Sequence, residues 1–133
     1  VSARALSAGL ADTSVFIASE LGRPLRVDAL PDRIAVSVIT IGELRAGVLA
    51  AADLETRDRR LATLTAVLGL DPVPVDEAVA RAWARLRVAL RDAGRRMGVN
   101  DSWIAATAIA LDISLVTQDD AYDAIPGLRA IRV

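Results

Sequence analysis

Four short apolar or β-branched stretches of this chain each run up to, or out of, a single acidic residue. Asp12 stands in "GLADTSVFIA", Glu43 in "IAVSVITIGELRAG", Asp101 in "GVNDSWIAATAIA" and Asp119 in "ISLVTQDDAY". Strand-sized pieces alternate with helix-sized ones, and that alternation points to an α/β fold with a mostly parallel sheet covered on both faces. In open sheets of this kind, functional groups emerge at the carboxyl ends of the strands. Carboxylates gathered there repel one another. At ~4–6 Å and an effective dielectric of ~20, each pair costs about 3–4 kcal/mol. Such a cluster calls for a cation, or for acids that stay protonated. Ligation by carboxylate oxygens alone points to Mg²⁺ or Mn²⁺.

The pattern predicts about five short strands. A first strand ends near Asp12. "TSVFIASELG" reads as a helix stopped at Gly22, with Pro24 just beyond. "RPLRVDALPDR" is rich in turn residues, and "IAVSV" is a run of buried-strand type. A helix is expected from Thr40 to about Ala52. A second covers "LETRDRRLATLTAVLG", with Leu61, Leu64 and Leu68 as its apolar face. "DPVPV" reads as an edge strand, where proline is tolerated. Asp76 is positioned to cap a long helix, "EAVARAWARLRVALRDAGRR", in which Val79, Trp83, Leu86 and Leu90 recur on one side. Asn100 or Asp101 opens the apolar helix "SWIAATAIALD". "ISLV" is a strand, "DDAYDA" a single helical turn and "RAIRV" a last strand. No repeat, low-complexity tract or linker interrupts this order, so residues 1–133 are expected to form one domain.

Composition narrows the chemistry. All 16 basic residues are Arg, and there is no His or Cys. A histidine base, a Ser-His-Asp triad, a histidine metal site and a thiolate site are therefore excluded within this chain. So are a Schiff-base lysine and a phosphate-loop lysine. Asp and Glu remain the obvious reactive groups. No window reaches the ~18 apolar residues of a membrane span, and no signal peptide is evident, so a cytoplasmic location is expected.

Each acid also has a structural reading. Asp12 is placed to cap the helix that follows it. Thr40 and Glu43 fit a capping box. Asp101 would complement a helix dipole, and Asp119 would cap the turn after it. The joint pattern is the stronger signal, because the four acids occupy matching positions on successive elements. Thr13, Ser14, Thr117 and Asp120 flank them as candidate supporting groups. Arg95 and Arg96 lie just before "MGVNDS" and are candidates for a nucleic-acid backbone. Arg57, Arg59 and Arg60 read as a solvated helix face, and Trp83 and Trp103 as core or dimer contacts.

Taken together, "DTSVFIA", "VSVITIGELRAGV", "NDSWIAATAIA", "LVTQDDAY" and "IPGLRAIRV" resemble the PIN domain. Within it they resemble the VapC toxins of bacterial VapBC toxin–antitoxin pairs. The resemblance implies a PIN-like fold and an endoribonuclease dependent on Mg²⁺ or Mn²⁺. It places the catalytic quartet on Asp12, Glu43, Asp101 and Asp119, with metal held by Asp12, Asp101 and Asp119. It also implies a homodimer inhibited by a VapB-type antitoxin, with operator DNA met only through that antitoxin. The sequence departs from the pattern after Asp119. Many relatives carry another acid two residues on, then Phe; here Ala121 and Tyr122 stand in those places. The rival expectation is a PIN-like module of weak or no activity that works by complex formation.

Overall fold

The computed structural model describes residues 7–133. Four strands form one sheet: β1 (Ala8–Ala11), β2 (Arg33–Val36), β3 (Ser114–Thr117) and β4 (Ala130–Arg132). Their order is β2-β1-β3-β4 and every pairing is parallel. Among the described residues five α-helices accompany them: α1 (Thr13–Glu20), α2 (Val38–Leu49), α3 (Leu54–Leu68), α4 (Glu77–Asp92) and α5 (Val99–Leu111). The alternation of strands and helices is as the sequence implied. Among the described residues no helix is long and apolar enough to cross a membrane.

The expected fifth strand, "DPVPV", is reduced to a single bridge between Val73 and Ser37. Val73 N donates to Val36 O at 2.8 Å and Val38 N donates to Val73 O at 2.9 Å. Pro72 and Pro74 flank that one residue. Neither has an N–H to carry the ladder further.

Several helix boundaries differ from the sequence reading; α5, for one, starts at Val99 and not at Asn100 or Asp101. Helix α2 begins at Val38, capped by Ser37, whose Oγ accepts from Ile39 N at 3.0 Å. Thr40 is therefore inside the helix, and the expected Thr40–Glu43 capping box does not form. Helix α4 stops at Asp92, short of Arg96. Gly94 takes φ +66°, Gly94 N donates to Arg91 O, and Arg95 N donates to Leu90 O. This Schellman closure uses a conformation that glycine adopts at little cost. It turns the chain abruptly towards Gly98 and α5.

The core falls on both sides of the sheet. On one side Leu10 and Leu115 cluster with Leu86, Leu90, Ile104, Ala105, Ala108, Tyr122 and Ile125. On the other, Val36 clusters with Ile41, Leu44, Val48, Leu64 and Val67. The inner face of α3 is thus Leu64 and Val67; Leu61 and Leu68 are 47% and 39% exposed. Arg60 explains the rotation. Its guanidinium donates to Gly47 O at 2.7 Å, so positions 60, 64 and 67 face α2 at helical spacing. Arg59 pairs with Glu20 at 3.7 Å, so these two arginines tie helices together and are not simply a solvated face. Trp83 and Trp103 stack on each other between α4 and α5, centroids 4.3 Å apart, and Trp83 Nε1 donates to Ser102 Oγ.

Candidate active site

Strands β1 and β3 are parallel neighbours in the middle of the sheet, so their carboxyl ends open on the same edge. Asp12 follows β1 directly and Asp119 follows β3 by two residues. Asp12 N donates to Val116 O at 3.0 Å, which extends the ladder and fixes the acid at the edge. Glu43 arrives from α2 and Asp101 from the first turn of α5. Mutual repulsion registers the proximity: Asp12 feels the charges of Asp101 and Asp119, and Asp101 feels those of Asp119 and Glu43. The structure thus brings the four predicted acids to one edge at graded depth. Asp12 is 4% exposed and forms the floor; Glu43 and Asp101 are half-buried; Asp119 is at the exposed rim.

The capping readings separate cleanly. Asp12 occupies the N-cap of α1 but its side chain makes no capping hydrogen bond. Helix α5 is entered at Gly98 with no side-chain cap, which leaves Asp101 inside the first turn. Only Asp119 caps, its Oδ1 accepting from Ala121 N at 2.9 Å.

Hydroxyl groups clasp the other three acids. Ser14 Oγ donates to Asp12 Oδ1 at 2.5 Å and Thr117 Oγ1 donates to Asp12 Oδ2 at 2.9 Å. Thr117 Oγ1 also accepts from Asp119 N at 2.9 Å, so one hydroxyl links both strand-end acids. Thr13 Oγ1 donates to Glu43 Oε1 at 2.6 Å, with the buried Thr40 hydroxyl 3.0 Å away. Tyr122 OH donates to Asp101 Oδ1 at 3.0 Å. Thr13, Ser14 and Thr117 are therefore in contact with the acids they flank in sequence. Asp120 lies exposed on the rim beside Asp119, in a hollow shared with Arg23 and Arg132. Arg95 is committed elsewhere. Its guanidinium donates to Asp123 O and Ala124 O, both at 3.1 Å, and holds the loop behind Tyr122. Arg96 is exposed and lines a hollow of about 560 Å³ together with Arg87 and Arg91.

Burial pushes the Asp12 carboxyl up from the usual aspartate range; the Ser14 and Thr117 hydroxyls offset part of this, and Asp101 and Asp119 add to it. Asp101 is raised by burial first, against the opposing bond from Tyr122. Burial and the surrounding acids drive the Tyr122 phenol far above its ordinary range, so it stays protonated. Ion pairs among the described residues, such as Arg59–Glu20 and Arg129–Asp112, involve none of the four acids. As placed, no three acidic groups among the described residues stand close enough to form a ready-made metal cage. The donor set nonetheless suits a hard divalent cation, which binds through one or two carboxylates and keeps several waters.

These shifts fix a pH dependence. An acid whose folded pKa lies above its unfolded one costs stability once ionised. Between the two values the unfolded chain holds fewer protons, so stability falls as pH rises. In EDTA the protein is expected to melt lower at pH 7 than near pH 4, close to the ordinary aspartate value of 3.8 from which both acids are raised. The drop should shrink in Asp101→Asn, whose melting temperature at pH 7 should exceed the parent's. Calorimetry at both pH values checks this. A lower melting temperature for the variant would favour a dipole role for Asp101 instead.

The PIN domain family matches residues 10–128. The chain belongs to the PIN domain family. Within it, the chain is similar to Ribonuclease VapC5 of Mycobacterium tuberculosis, 49% identical over 127 residues that cover 96% of this chain and 94% of the relative. It is equally similar to Ribonuclease VapC4 of the same organism, 49% identical over 129 residues, covering 93% of this chain and 95% of the relative. Among solved structures, that of VapBC-5 from M. tuberculosis, a member of the VapBC family of toxin–antitoxin systems, superposes with a TM-score of 0.87. It is 46% identical and covers 96% of this chain and 99% of its own. The PIN fold and the VapC resemblance expected from the sequence are thus both found.

Sequence reasoning missed the roles of two residues it had named. Tyr122 was visible only as a departure from Phe, and its extra oxygen was the available signal. Arg95 was read as a nucleic-acid contact, and nothing signalled its hold on the loop, because its carbonyl partners lie 28 and 29 residues away.

Proposed function

We propose that this chain is a Mg²⁺-dependent endoribonuclease, the toxin of a VapBC-type pair, acting in the cytoplasm and neutralised by a VapB-type antitoxin. One observation carries the reading. Four carboxylates from four elements line the carboxyl edge of a parallel sheet near enough to feel one another's charge, and no cation of the described chain pairs with them. The likeness to proteins named Ribonuclease VapC supports it.

Asp12, Asp101 and Asp119 would hold the ion, directly or through water, and Mn²⁺ is the natural substitute. When bound, the metal supplies an activated water and offsets charge on the reacting phosphate. The chain's own part is to present oxygens at fixed positions. Ser14 and Thr117 fix both oxygens of Asp12, and Thr13 fixes one oxygen of Glu43. Glu43, held in this way, would orient the attacking water. Asp119 keeps one oxygen free while the other caps its turn. The exposed Arg96, with Arg87 and Arg91 around the same hollow, is suited to the RNA backbone. Arg95 is less so, being committed to the loop.

The antitoxin would cover the edge and bring an arginine to the acids. A hollow of about 220 Å³ lined by Ile17, Leu21 and Leu44 adjoins Glu43 and offers it an apolar seat. A homodimer is expected from the family.

The test is incubation of total RNA with the purified chain, free of antitoxin, in Mg²⁺, Mn²⁺ or EDTA. Discrete fragments in Mg²⁺ and Mn²⁺, absent in EDTA, are expected. Identical patterns with and without EDTA would overturn metal-dependent cleavage. Intact RNA with tight antitoxin binding would favour the inactive complex-forming module.

A further inference from the structure

We propose that Tyr122 is the positioning residue of Asp101: its hydroxyl pins one carboxylate oxygen and leaves the other facing the hollow beside Gly98 and Glu43, where it would be open to a metal ion. This rests on the metal-dependent reading above.

Tyr122 is 1% exposed and its ring belongs to the core cluster with Leu86, Leu90, Ile104 and Ile125. The ring therefore has a fixed seat, and only its oxygen reaches the site. That oxygen donates to Asp101 Oδ1 at 3.0 Å. Asp101 Oδ2 is on the Gly98 side, where a Cβ on that glycine would meet it at 3.5 Å. Gly98, Asp101 and Glu43 line an open hollow of about 370 Å³. One oxygen is thus held by the core and the other is presented to the opening.

The short segment carrying Tyr122 is tied at both ends. Before it, Asp119 Oδ1 accepts from Ala121 N. After it, Arg95 grips Asp123 O and Ala124 O, and Arg132 reaches the Asp123 carboxylate at 3.7 Å. The segment is thus tied before and after Tyr122 while the ring packs in the core, and together these hold the hydroxyl at Asp101. The phenolic O–H is the donor of this pair and the carboxylate oxygen its acceptor. A phenylalanine in this seat would fill the same core and leave Asp101 free to rotate. Loss of a group that orients a metal ligand typically weakens the metal by ~10–100-fold.

Tyr122 is the single tyrosine of the chain. Uniform labelling with 3-fluorotyrosine therefore gives one ¹⁹F resonance, at the proposed position. The full chain is titrated with Mg²⁺, followed by calorimetry and by ¹⁹F NMR, beside unlabelled Tyr122→Phe. The wild-type resonance should move saturably, with the midpoint found by calorimetry. Tyr122→Phe should keep its melting temperature while its Mg²⁺ dissociation constant rises ~10-fold. Cleavage should recover towards the parent rate at saturating Mg²⁺, because orientation is lost and the chemistry is not. A resonance unmoved at saturation, or a variant affinity within about twofold of the parent, would overturn the role of Tyr122. Should Tyr122→Phe fail to fold, the wild-type resonance decides alone. A wild-type chain that takes up no Mg²⁺ would instead overturn the nuclease reading itself.

Discussion

Asp12→Asn is expected to fold, to melt higher than the parent in EDTA, and to cleave RNA at least ~10³-fold more slowly, a loss of about 4 kcal/mol of transition-state stabilisation. The fold should tolerate the change because the Asp12 side chain caps no helix, and its backbone bond to Val116 O is independent of the side chain. Ser14 and Thr117 contribute hydroxyls that rotate to serve an amide as well as a carboxylate. Removing a buried charge relieves its desolvation and its repulsion from Asp101 and Asp119. For a domain of this size, ~1 kcal/mol would raise the melting temperature by roughly 3–5 °C. The catalytic loss is severe for the same structural reason: Asp12 is the deepest of the four acids, and the amide removes its negative charge. Single-turnover cleavage in Mg²⁺ measures the rate, and melting in EDTA measures the fold. A rate within ~10-fold of the parent would remove Asp12 from the catalytic set. A lower melting temperature would mean that its hydroxyl contacts outweigh its burial.

The acids could be found in the sequence because strand ends are visible there. Asp12 and Asp119 each follow a short apolar run, and parallel pairing of β1 with β3 brings them together without any further signal. Glu43 and Asp101 were harder, since capping explained them equally well. What removed the capping reading of Glu43 was a competitor two residues before Ile39. Ser37 is as good a cap as Thr40, and the bridge to Val73 pins the chain at Ser37. Local pattern cannot choose between two caps three residues apart when a long-range contact decides. The face of α3 failed similarly: leucine spacing favoured Leu61, Leu64 and Leu68, whereas Arg60 reaches Gly47 O and turns Val67 inward. The prolines beside Val73 did announce a weak strand, and a single bridge is the limiting case.

The supporting hydroxyls divide along the same line. Ser14 lies two residues from the acid it binds, so adjacency alone suggested it. Thr117 is 105 residues from Asp12 and was suggested only by its nearness to Asp119. Tyr122 lies 21 residues from Asp101 and stood out only as the replacement of a commonly found Phe; its ring is in the core. A group that serves the core with its ring and the site with its oxygen gives a sequence signal for the first role only. The site needs neither histidine nor lysine, because hydroxyl donors and one backbone N–H do the orienting.

Gly9→Val is expected to prevent stable folding, and Gly9→Ala to cost about 1–3 kcal/mol. Strand β1 lies between β2 and β3, with Gly9 beside Ile34 and Ser114. A Cβ there would stand 2.7 Å from Val116 Cγ2 and 2.8 Å from Pro31 Cγ. Neither neighbour yields easily. Val116 is fully buried and β-branched, and the Pro31 ring is rigid. Relief must come from the strand itself. Asp12 is three residues further along, ~10 Å at strand rise, so displacement of β1 moves the floor of the site relative to Ser14 and Thr117. Gly9→Ala should therefore lose Mg²⁺ affinity in step with stability, unlike Asp12→Asn, which separates them. Gly42 supplies the control. It lies inside α2, and beyond its chain neighbours and its own helix backbone no heavy atom lies within 4 Å of an added Cβ. Gly42→Ala should raise stability by up to about 1 kcal/mol through helix propensity. Urea unfolding of both alanine variants checks the pair. A Gly9→Ala midpoint equal to the parent's would show that the sheet absorbs the contact, and the close approach of Val116 and Pro31 would then carry no cost.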